Sequence, residues 1–141
     1  MFKKLKKLFT KTDVTVAVTS TKPLTEQLHD LWRTENRDLE GLIADQVRAD
    51  EIENILVDRN IKGKELENSG DINGAIELYE LNVTDRFDGS HPYERLRIIY
   101  SNRGMFADAI RACEAYINYG QHDPQLKDKY RRDIEKYKAK L

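Results

Sequence analysis

The residue types that do chemistry are few in this chain and badly spaced for it. His29, His91 and His122 stand far apart, and none lies at metal-ligand spacing to another histidine or to the single cysteine, Cys113. A lone cysteine excludes an internal disulfide and any zinc site built on several thiolates. Gly63–Lys64 lacks the preceding glycine-rich loop that a phosphate cradle needs. Acid pairs such as Asp50/Glu51 and Asp85/Asp88 are what a chain with 35% charged residues contains anyway. A catalytic carboxylate pair also needs a pocket and a raised pKa. The expectation is a chain without catalytic residues, metal or cofactor, whose histidines cap or pack and whose Cys113 is a small core residue.

Charge is unevenly distributed. Residues 1–11 hold five lysines (Lys3, Lys4, Lys6, Lys7, Lys11) and no acid. Removing them leaves 19 of the 24 basic residues against 25 acids, so an acidic body of about −6 follows a +5 tip. An acidic body argues against broad nucleic-acid binding, which needs a basic face. No apolar run reaches membrane-spanning length, and no h-region or cleavage site follows the lysines. A cytoplasmic location, peripheral to a membrane through the tip, is the expectation.

The elements that position side chains read as helices. In the tip, Phe2, Leu5, Leu8 and Phe9 fall at helical spacing with lysines on the other face. Residues 12–22 read as a linker, and residues 23–141 as the helical domain. Pro23 suits a first helical turn. Leu24, Leu28, Leu31, Trp32, Leu39, Leu42, Ile43 and Val47 continue as one stripe, extended by Ile52, Ile55 and Leu56. Asn36, Gly41 and Asp50 are places where it could break, and one long helix or two both fit. Later helices stop at Gly70, Gly104 and Gly120 and open after Asp71, Ser90 or His91, and Asp123. The last carries Leu126, Tyr130, Ile134, Tyr137 and Leu141 inward. Tyr79, Tyr93, Tyr100, Tyr130 and Tyr137 lie on apolar stripes and are expected in the core.

Two stretches repeat at a spacing of 34 residues. Gly70 recurs as Gly104, Ala75 as Ala109, Ile76 as Ile110, and Leu66 is answered by Tyr100, whereas Tyr79 meets Cys113. That period is the length of a helix–turn–helix unit that stacks on copies of itself. Residues 56–123 resemble two tetratricopeptide (TPR) repeats. The family's small residues at its eighth and twentieth positions correspond to Gly63 and Ala75 in the first copy. In the second copy they correspond to Arg97 and Ala109, so Arg97 departs from the pattern. Residues 23–55 resemble a degenerate earlier copy, with Trp32 in phase with Leu66, but with bulky His29 where Gly63 stands.

The resemblance implies an all-α, antiparallel array of helical hairpins, closed by a C-terminal capping helix. It implies a groove lined by the first helix of each repeat: Asn60, Lys64, Glu67 and Asn68, then Glu94, Ile98, Ser101 and Asn102. Asp128 and Arg132 of the final helix extend it. The family's carboxylate clamp is not expected, because Asn60 stands where it wants a base and Lys64 where it wants asparagine. The implied function is a non-enzymatic protein-interaction module binding a protein or peptide. The alternative is a structural subunit that self-associates, as a homodimer or within a larger complex. The tip residues Phe2, Lys3, Lys4, Leu5, Lys6, Lys7, Leu8 and Phe9 suit a peripheral membrane contact, a docking helix for an acidic partner or for this chain's own acidic body, or a solubilising tail. About three units are needed to cover each other's apolar faces. Trp32 is therefore expected to be buried, against the first repeat or a second copy.

Overall fold

Helix-forming runs separated by proline, glycine and capping aspartate dictate the order of elements. In the computed structural model, which describes residues 22–33, 38–121 and 123–141, every regular element is an α-helix. They are α1 (Leu24–Arg33), α2 (Leu39–Asn68), α3 (Ile72–Thr84), α4 (His91–Asn102), α5 (Phe106–Tyr119) and α6 (Pro124–Lys138). The described residues up to Ile55 form one compact unit, and Leu56–Leu141 form another.

In the second unit, consecutive helices pack on one another: α3 on α4, α4 on α5, and α5 on α6. Two of the joins are built alike. After α2, Gly70 takes φ +91°, its N–H donates to Glu67 O at 3.1 Å, and Asp71 N–H donates to Leu66 O at 2.8 Å. After α4, Gly104 takes φ +72°, its N–H donates to Ser101 O at 3.1 Å, and Met105 N–H donates to Tyr100 O at 2.8 Å. Both are Schellman closures, and every participating atom recurs 34 residues later. The next helix differs in its cap. Asp71 accepts from Gly74 N–H at 3.0 Å, whereas Met105 has no side-chain bond to offer α5. Asp123 caps α6 by accepting from Leu126 N–H.

Ala75 and Ala109 are fully buried, in a core with Tyr79, Tyr93, Leu96, Tyr100, Cys113, Tyr116, Tyr130, Ile134 and Tyr137. What a Cβ on Gly63 would meet first is the Tyr79 ring, with Cε1 at 2.5 Å. The aromatic ring, larger than the alanine, fills the space the glycine leaves. Leu141 is exposed, because α6 ends at Lys138 before the stripe reaches it.

Helix α1 ends at Arg33, and α2 runs from Leu39 unbroken through Gly41, Asp50 and Gly63, so neither Gly41 nor Asp50 is a break; Asn36 lies outside the described residues. Trp32 is 58% exposed and packs beside His29, with ring centroids 5.8 Å apart. Helix α1 ends one residue beyond Trp32, so its last turn is left uncovered while Leu24 and Leu28 are buried. The single stripe read from Leu24 to Leu56 is not one face. Ala49, Ile52 and Ile55 are buried, but Leu39, Leu42, Ile43 and Val47 are exposed. Ile43 and Ile52 are nine residues apart, and at about 100° per residue they point in opposite directions.

Candidate functional site

Asn60, Lys64, Glu67 and Asn68 follow an i, i+4, i+7, i+8 pattern that puts them along one side of α2. Glu94, Ile98, Ser101 and Asn102 repeat that pattern on α4. The two helices are tied together by Glu67. Its carboxylate accepts from Arg95 Nη2 at 2.6 Å and from Arg95 Nε at 3.1 Å. It also accepts from the Tyr79 hydroxyl at 2.6 Å. Burial alone would raise the Glu67 carboxyl, but the bonds from Arg95 and Tyr79 outweigh it and hold it below the usual carboxylate range.

The same grouping of tyrosine, glutamate and arginine recurs. Glu94 accepts from the Tyr130 hydroxyl and from Arg97 Nη2 at 2.7 Å. These bonds prevail over burial and lower its pKa. Glu80 accepts from the Tyr100 hydroxyl at 2.5 Å and from Arg111 Nη2 at 2.6 Å. Burial, and then the bonded carboxylate, push Tyr79, Tyr100 and Tyr130 well above the ordinary phenol range. Each hydroxyl therefore acts as a donor. The phenols bury their rings and satisfy a carboxylate at the core's edge.

Arg97, the departure from the repeat pattern, is accommodated by α6. It donates to the Tyr137 hydroxyl at 3.0 Å and lies 3.6 Å from the Asp133 carboxylate. Asn60 is drawn into a buried cluster. Asn82 Nδ2 donates to Asn60 Oδ1 at 2.9 Å and to Leu56 O at 2.8 Å. Arg59 donates to Asp85 at 2.6 Å, with both side chains almost fully buried.

The expected residues thus divide. Asn60, Glu67 and Glu94 hold helices together. Ser101 donates to Ile98 O at 3.0 Å, and both are half-buried. Lys64, Asn68 and Asn102 are exposed. Sequence reading missed Arg95 and the three hydroxyl-to-carboxylate bonds. The available signal was the use of tyrosine, with its polar tip, at core positions. The tip residues 2–9 and His122 lie outside the described residues.

Cys113 is fully buried, and burial pushes its thiol up to about 12, which suits a packing role. His91 lies edge-on to the Tyr79 ring at 5.5 Å, and burial lowers its pKa. Among the described residues no three His, Cys, Asp or Glu side chains are grouped to hold a metal ion, and no helix is long and apolar enough to cross a membrane. Comparison with protein-family profiles, curated proteins and solved structures returns no match.

Proposed function

We propose that residues 56–123 are a TPR-like pair of helical hairpins, capped by α6, that acts as a non-enzymatic protein-interaction module. The observation that carries this reading is the repetition, bond for bond at 34 residues, of the closures at Gly70 and Gly104. The Glu67–Arg95 bridge supports it by tying the Lys64–Asn68 face of α2 to α4.

The chemistry of that face suits a peptide. Lys64 supplies a cation for a partner's carboxylate. The amides of Asn68 and Asn102 can each donate to and accept from an extended backbone. Ile98 adds apolar surface. Because the supporting glutamates are fixed by arginine and tyrosine, little order has to be imposed on binding.

The test is selection from a displayed random-peptide library on the full chain, repeated on Lys64→Glu/Asn68→Lys/Asn102→Lys. All three positions are exposed, so the fold is preserved. Peptides that bind the native chain and lose binding to the triple variant are expected. Peptides that bind both equally would refute the α2–α4 face as the site.

A further inference from the structure

In the first unit, Leu39, Leu42, Ile43 and Val47 of α2 are 73%, 52%, 56% and 53% exposed. Exposed apolar side chains scattered singly are ordinary, but four within nine residues of one helix make a patch that marks a contact. Its borders are acidic: Glu40, Asp50, Glu51 and Glu53 are all exposed. Residues 38–55 contain six acids and one base, Arg48. Arg48 lies on the opposite side of the helix, bonded to Glu51 at 3.2 Å and Gln27 at 3.5 Å.

This charge selects the occupant. A second copy of α2 would set a net −5 against another −5, and like charges across an interface are strongly disfavoured. Anionic lipid is repelled for the same reason. The occupant must be apolar along one side and basic along the other. Residues 1–11 of this chain have that composition, with Phe2, Leu5, Leu8 and Phe9 at helical spacing and five lysines without an acid. Residues 12–22 reach up to about 36 Å when extended. The Gln27–Arg48 bond places α1 against α2, so the path needed is about 14 Å along α2 and one helix diameter around it.

We infer that the acid-bordered apolar face of α2 over Leu39–Val47 is the docking site for residues 1–11 of the same chain. Docking covers both apolar stripes and sets the lysines against Glu40, Asp50 and Glu53. It withdraws the tip from any other acidic surface until it is displaced. This inference is independent of the α2–α4 face and stands or falls separately.

The test uses the full chain with a benzophenone amino acid at position 9, irradiated when dilute, digested and read by mass spectrometry. An intrachain product on residues 38–55 is expected. Lys3→Glu, Lys4→Glu, Lys6→Glu and Lys7→Glu together should lower its yield about tenfold, since exposed attractions become repulsions. Adding Glu40→Lys, Asp50→Lys and Glu53→Lys should restore it. These acids are exposed, and an unchanged helical circular dichroism spectrum confirms that the fold is kept. Cross-links elsewhere on the chain, products only between chains, or a yield indifferent to the tip's charge would each overturn the inference. So would a tip that yields no intrachain product in buffer yet binds phosphatidylserine vesicles.

Discussion

Replacing Gly70 or Gly104 separates backbone conformation from packing. At both positions an added Cβ would meet nothing within 4 Å beyond its own chain neighbours, so tertiary packing contributes nothing. The left-handed backbone, φ +91° and +72°, costs an L-residue roughly 1–2 kcal/mol. Alanine also restricts the unfolded chain, which returns about 0.4–1 kcal/mol. The net expectation is a loss of about 1 kcal/mol at each site for Gly→Ala. Asparagine should cost less, because its short polar side chain tolerates this conformation. Gly63→Ala is the contrasting case. Its backbone is helical, where alanine is favoured by about 1 kcal/mol. Its Cβ, however, would lie 2.5 Å from a Tyr79 ring anchored by its hydroxyl to Glu67. Overpacking of this kind costs about 1–3 kcal/mol. Trimming Tyr79 to leucine should therefore lessen the effect of Gly63→Ala and leave that of Gly70→Ala unchanged. Urea unfolding followed by circular dichroism, with a constant m-value, reads each difference. A neutral Gly70→Ala, or asparagine as costly as alanine at both 70 and 104, would refute the left-handed closures.

Asp85→Ala should destabilise by about 3–5 kcal/mol, because it strands the buried Arg59 guanidinium. Arg59→Met/Asp85→Leu should recover most of that in the same urea assay. Thermal stability should be level between the ordinary histidine pKa of 6.5 and the ordinary thiol pKa of 9.0, above which the unfolded chain releases the Cys113 proton first, and it should fall below 6.5. His91 titrates lower when folded, so the unfolded chain takes up its proton first; His91→Gln should remove this stage. A second fall should come below 4.5, as the pH passes through the depressed pKa values of Glu67 and Glu94. Trp32 fluorescence should have a water-exposed emission maximum and be quenched readily by iodide; a blue-shifted, protected spectrum would contradict its exposure on α1.

The features readable from sequence were those fixed by local rules. Gly70 and Gly104 were legible because a helix end needs a residue at positive φ. Asp71 and Asp123 were legible because short acceptors satisfy free N–H groups at helix starts. Ala75 and Ala109 repeat with the glycines. What was not legible depends on partners distant in sequence. Periodicity alone did not reveal that α2 turns Ile52 inward and Ile43 outward, since both sit at helical spacing from their neighbours. That Gly63 makes room for Tyr79 follows from the course of α3 over α2. In the candidate site, Glu67 and Glu94 looked like groove-lining carboxylates. Their bonds to Arg95 and Arg97, and to the phenols of Tyr79 and Tyr130, give them a structural duty instead. Lys64, Asn68 and Asn102 are exposed.

The most direct test of the interaction reading is amide-shift mapping of the isotope-labelled full chain, titrated with a peptide from the displayed library. The account predicts saturable shifts centred on Lys64, Asn68, Ile98 and Asn102, lost in Lys64→Glu/Asn68→Lys/Asn102→Lys. Shifts confined to the outer faces of α5 and α6, with α2 and α4 unmoved, would contradict it.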